Sequence, residues 1–238
     1  MSNSPDEVRA QYADEANLET RRAVWRPGPS GVDPVDLVVE AVRAALPRDR
    51  AMPDVLEVGC GTGVFAARLS EELPGIALLA TDQSYRFVEL AKEHGVAAQM
   101  MDVQHLLAPD DAYDVAVAMW MLYHVPDLDR GLAELRRVLR PGGRLLAVTN
   151  SDEHTADLRR EAGGDAVRTT FSSENGEASL RRHFETVERT DVETRAAFPD
   201  RAAALAYLES SNEGVAWDPP ADGWPREYAG HVTVFEAR

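Results

Sequence analysis

Three glycines at alternate positions, Gly59, Gly61 and Gly63, follow directly on the apolar run Val55, Leu56, Val58, and no other stretch constrains the chain as tightly. A short β-branched run reads as a buried strand, and clustered glycines read as a sharp turn. Beyond the turn, Val64, Ala67, Leu69 and Leu73 lie among Arg68, Ser70, Glu71 and Glu72, the pattern of one amphipathic helix. The unit is strand, glycine loop, helix, which belongs in an α/β sheet. Glycine suits the loop because a Cβ would block both the turn and the close approach of a ligand. Free amides at the helix start favour a negatively charged ligand group. The spacing is Gly-x-Gly-x-Gly, unlike the Gly-x-Gly-x-x-Gly of dinucleotide folds, and no Gly-Lys-Ser/Thr follows as in a phosphate-binding loop. Glu57 sits inside the strand just ahead of the turn.

The pattern repeats downstream. Ile76 to Ala80 reads as a second strand ending in Thr81-Asp82-Gln83-Ser84, Ala97 to Met101 as a third ending in Asp102-Val103, and Tyr113 to Met119 as a fourth. An acid at the end of the second strand, about 20 residues past the glycines, is placed to accept hydrogen bonds from both ribose hydroxyls of an adenosine. Asp82 fits that place, with N-cap of a helix from Tyr85 to His94 as the alternative. Asp127 to Leu139 reads as a helix, Arg140 to Gly143 as a turn, and Leu145 to Thr149 as a fifth strand.

The segment from Asp54 to Gly63 resembles the first motif of class I S-adenosylmethionine (SAM)-dependent methyltransferases, and the resemblance runs from about Met52 to Thr149. It implies a Rossmann-like, doubly wound, seven-stranded sheet, mostly parallel with an antiparallel last strand. Residues 1–50 would form an N-terminal helical cap and residues 51–238 the catalytic domain, with lid-like insertions at about 153–183 and 199–228. It implies a cofactor site made of Glu57, Gly59, Cys60, Gly61 and Gly63, with Asp82 and Gln83 at the ribose and Asp102 and Val103 at the adenine. The backbone near Ala118 and Met119 would face the methionine part, and S-adenosylhomocysteine (SAH) would be the product. The N-terminal helix often closes over the ligand in this family, which makes Tyr12 a candidate contact, then Arg21, Arg22 and Trp25.

His124 stands in the motif after the fourth strand and reads either as the base that takes a proton from a hydroxyl nucleophile or as a residue that orders the loop. Tyr123, Trp120, Arg168 and Trp217 are candidate substrate contacts; Trp217 and Trp224 would stack on a planar acceptor or pin a long loop. Arg159, Arg160 and Arg168 are the places to look for a partner to an acidic acceptor, with solvated surface arginines as the alternative. Asn150, Ser151 and Asp152 lack a second acid-rich motif, so no metal is expected.

From His154 onward the resemblance thins. Asp157 to Gly164 and Glu177 to His183 read as helices, Phe184 to Phe198 as a long strand, and Arg201 to Ser210 as a helix capped by Asp200. Ser211 to Tyr228 reads as irregular and His231 to Phe235 as the last strand. At the other end, Asp6 to Trp25 reads as a polar helix, Pro27 to Gly31 as a turn, and Asp33-Pro34 as the start of a second helix.

With 25 basic and 41 acidic side chains the net charge is −16, which opposes a nucleic-acid substrate. Cys60 is the one cysteine, so an internal disulfide is impossible. The first residues have no basic start or apolar run, and nothing approaches the ~20 apolar residues of a membrane span, so a cytoplasmic monomer or homodimer is expected. The expected activity is methyl transfer from SAM to a small molecule at a hydroxyl or carboxyl oxygen. Transfer to nitrogen or carbon, SAM binding without catalysis, and an NAD-dependent oxidoreductase are the alternatives.

Overall fold

Strand β2 (Asp54–Val58) is apolar on both faces because both are covered: Val55 packs with the helices on one side, Leu56 and Val58 with those on the other. Parallel strands buried this way read as continuous apolar runs. The computed structural model describes residues 15–210 and 217–238. Parallel to β2 run β3 (Ala77–Asp82), β4 (Ala98–Met100), β5 (Tyr113–Met119) and β6 (Leu139–Asn150). Strand β8 (Arg226–Ala237) is antiparallel to β6 and to β7 (Val187–Phe198), and lies between them. A three-residue strand β1 (Trp25–Pro27) closes the edge beside β7, giving the order β1-β7-β8-β6-β5-β2-β3-β4.

The sheet therefore has eight strands where the sequence suggests seven. The added one is β1, expected to be a helix end and a turn. Two other boundaries move. The β6 ladder begins at Leu139, opposite Tyr113, and resumes at Arg144, opposite Val115, with the Arg140–Gly143 turn bulging out between. Strand β8 starts at Arg226, within the last three residues of the stretch expected to be irregular and five before the expected strand at His231.

Helices α2 (Pro34–Ala45) and α3 (Val64–Glu72) cover one face, through Val38, Val39, Val42, Phe65 and Leu69. On the other face α5 (Leu128–Val138) buries Leu128, Leu132, Leu135 and Val138 at helical spacing. Each such side chain contributes ~1.5–3 kcal/mol through removal from water. Helix α2 opens as the sequence suggests, with Asp33 accepting the Val35 amide at 2.8 Å and Pro34 in the first turn. Helix α4 (Tyr85–Glu93) packs on β3 and β4 beside α3, and the connections hold a single 3-10 turn (Leu122–His124), α6 (Ala156–Glu161) and α7 (Gly176–Leu180).

A further apolar cluster forms around Val24, Leu158, Phe198, Tyr207 and Tyr228, with Trp25 and Trp217 against it. It joins β1 to α6 and α8 (Arg201–Ser210), and α8 in turn packs on α1 (Glu15–Ala23). No described helix is long and apolar enough to cross a membrane.

Candidate functional site

The carboxyl ends of β2, β3, β4 and β5 open into one cavity of about 1020 Å³. That is at the upper end of the range for ligand pockets.

The glycine loop forms its floor. Gly59, Gly61 and Gly63 all have φ in the left-handed region, at 64°, 54° and 79°. A Cβ on Gly59 would stand 2.7 Å from the Met121 side chain, so this position has no space for one. The loop is tied to β3 at two points. Cys60 donates its amide to the Thr81 carbonyl at 2.9 Å, and Gly61 donates to Asp82 Oδ2 at 2.9 Å. Asp82 Oδ1 accepts the Ser84 amide at 2.8 Å, and Ser84, not Asp82, caps α4 by accepting the Phe87 amide. The Gln83 amide bonds the same carboxylate, which still leaves acceptor capacity for a ligand hydroxyl. Burial raises the Asp82 pKa against the pull of these amides.

Glu57 is buried behind the loop, and its Oε2 has no hydrogen-bond partner among the described residues. Burial pushes its carboxyl up to about 8, with Arg22 opposing and Asp82 adding to the shift. A buried carboxyl with an orphaned oxygen calls for a cationic or hydrogen-donating ligand group.

Helix α1 lies over the loop. Arg22 donates to Thr62 Oγ1 at 3.3 Å, and Leu18 lies 3.5 Å from where a Gly61 Cβ would be. Arg21, Arg22 and Trp25 line the cavity, while Tyr12 falls outside the described residues. Gln83, Asp102, Val103 and Met119 also line it. Asp102 is exposed and accepts the Gln104 amide at 2.9 Å. Gly63 and Ala118 stand one layer back, the former starting α3 and the latter buried within β5.

Trp120, Tyr123 and His124 form the wall beyond β5. Trp120 has φ 52°, rare for a bulky residue, and its indole donates to Asn150 Oδ1 at 2.9 Å. Tyr123 and His124 meet edge to face at 4.4 Å. Burial, and Arg21 beside it, push His124 down to about 4, so its imidazole is neutral at neutral pH. Arg168 is exposed and Trp217 packs on the Phe198 and Tyr207 cluster; neither lines the cavity. Of the three candidate arginines, only Arg159 reaches it, from a buried position on α6.

The structure adds cavity residues that the sequence did not single out, chiefly His154, Thr194 and Tyr207. They come from the segment past β6, from β7 and from α8, and no local motif connects them.

Residues 56–147 match the family described as a methyltransferase domain. The chain is 34% identical over 238 residues to Methyltransferase GfsG of Streptomyces halstedii, covering 91% of this chain and 84% of that one. The chain belongs to the SAM-dependent methyltransferases. This methyltransferase is also 27% identical over 178 residues to a malonyl-[acyl-carrier protein] O-methyltransferase of Geobacter sulfurreducens, covering 68% and 67% of the two chains. Its fold is similar to a SAM-dependent methyltransferase structure from Mesorhizobium loti, at TM-score 0.52 and 21% identity over 86% of this chain and 100% of that one. The cofactor of this methyltransferase is SAM and the product SAH. The residues present fit it: the orphaned Glu57 oxygen suits its cationic ammonium, and the Asp82 carboxylate at the end of β3 suits a ribose hydroxyl.

Proposed function

We propose that this methyltransferase acts on a small molecule and methylates it at oxygen, most simply at a hydroxyl. The observation that carries this reading is the cavity itself, which continues past the cofactor end to neutral imidazoles and aromatic walls. The acidic surface, with a net charge of −16, favours a small acceptor over a polyanion. The O-methyltransferase named above is a relative of matching chemistry.

In this reading Glu57, the Gly59–Gly63 loop, Asp82, Gln83, Asp102 and Val103 hold the cofactor, with the Met119 backbone beside its methionine part. The bound cofactor supplies a methyl group already activated by a sulfonium. The protein then has to align the acceptor, exclude water and receive a proton. His124 would take the hydroxyl proton as the acceptor oxygen is methylated. Helix α1 acts as the cap expected of residues 1–50, supported by its seating on the glycine loop, while β1 and α2 belong to the sheet and its core; the segments between β6 and β7 and between β7 and β8 act as the lid-like insertions.

Calorimetry with SAM and SAH, with NAD as control, followed by transfer of labelled methyl to hydroxylated and carboxylated compounds, tests the proposal. Micromolar binding of both ligands and a base-stable methyl ether product are expected. Binding without transfer to any oxygen compound overturns the O-methylation reading.

A further inference from the structure

His154 is buried at the end of the cavity away from β3 and β4, where the adenosine is proposed to lie. Its ring is fixed from two sides. Trp25, carried by the edge strand β1, stacks on it at 4.4 Å. On the other side Nδ1 faces the backbone of His231 in β8, 3.1 Å from its amide nitrogen and 3.0 Å from its carbonyl oxygen. The carbonyl already accepts the Ser151 amide at 2.9 Å, whereas the His231 amide needs an acceptor. Nδ1 is therefore the acceptor, and the neutral ring carries its proton on Nε2. Nε2 makes no hydrogen bond to a described residue, and the ring lines the cavity.

A second polar group lines the same cavity, on the far side of the Trp25 contact. Thr194 Oγ1 in β7 is buried and has no hydrogen-bond partner among the described residues. Both Thr194 Oγ1 and the Trp25 ring come within 2.4 Å of the point where a Gly230 Cβ would stand, so the glycine makes room for them to meet. Arg159 adds positive charge at this end, with Nη1 on the His154 carbonyl and 2.7 Å from Thr155 Oγ1.

We propose that the His154 Nε2–H and the Thr194 hydroxyl are a donor pair that holds a carbonyl-type oxygen of the acceptor, making the substrate a hydroxy-carbonyl compound. This rests on the O-methylation reading and deepens it: His124 faces the hydroxyl that reacts, and the donor pair fixes the oxygen that does not. Burial pushes the His154 pKa down to about 3, which keeps the ring a neutral donor across the working range.

The test measures binding of three phenols to the SAH-saturated protein: 4-hydroxyacetophenone, 4-hydroxybenzoate and 4-ethylphenol, which lacks the second oxygen. The ketone is expected to bind about tenfold tighter than 4-ethylphenol, the worth of one well-made hydrogen bond. Thr194→Val keeps the side-chain shape, and His154→Gln keeps an acceptor for the His231 amide; each should shrink that gap with SAH affinity unchanged. Tighter binding of the carboxylate than of the ketone identifies the held group as a carboxylate, with Arg159 contributing. Equal affinity for the ketone and 4-ethylphenol, including no affinity for either, overturns the proposal, as does a gap that survives both substitutions. A gap that closes in the variants while no hydroxyl is methylated leaves the donor pair standing and removes the O-methylation reading.

Discussion

Two side chains carry most of the site's electrostatic character. Glu57 binds its proton far more tightly in the folded chain, up to about 8, than an ordinary carboxyl at 4.5. A raised acid pKa means that the folded state gives up stability as pH rises from the ordinary value through the raised one. The melting temperature of the ligand-free protein should therefore fall between pH 5 and pH 8, and Glu57→Gln should flatten that slope. A slope unchanged by the substitution would place the burden elsewhere. His124 shifts the other way, down to about 4, and the base role proposed for it would be lost only as pH falls through that value. We expect kcat to be level from pH 8 to 6 and to drop below pH 5. His124→Gln should lower kcat about 100-fold with SAH affinity within twofold. At this scale the sequence was legible where a motif is local: Glu57, Asp82 and His124 all sit next to strand ends. His154 gave no such signal, because its tautomer is set by His231, 77 residues away, and its stacking by Trp25.

Among the elements, the glycine loop and its anchor on β3 act together. Gly59→Ala combines a φ of 64° with a contact of 2.7 Å to Met121, and should cost about 1–3 kcal/mol in denaturant unfolding. Asp82→Ala removes an acceptor from the Gly61 and Ser84 amides as well as from the ligand. Its SAM affinity should fall more than tenfold, and calorimetry showing less than a twofold change would count against the ribose role. The parallel strands were readable because they are continuous apolar runs, and β5 was placed at Tyr113–Met119 to the residue. Strand β1 was not: Trp-Arg-Pro followed by Gly28 has the composition of a turn, and becomes a strand only by pairing with Thr194 to Ala196 of β7. The first turns of β8 were missed for the same reason, since Arg226 and Glu227 are polar and gain their strand geometry from Phe198 and Ala197 opposite.

For the whole molecule, the net charge of −16 sets a repulsion that no single ion pair offsets. Raising ionic strength from about 0.01 M to 0.15 M shortens the screening length from roughly 30 Å to 8 Å, and the melting temperature should rise with it. A fall would mean that ion pairs such as Arg137 with Asp110 and Glu134 outweigh the general repulsion. The order of the sheet has a consequence for how the molecule comes into being. Strand β8 is the last in this chain, yet it is threaded between β6 and β7 and joins the five parallel strands to β7 and β1. During synthesis the parallel half can assemble as it emerges, while β1 waits with no sheet to join. The strands around the glycine loop are thus made first, and β1 gains its neighbour only once β7 has followed them.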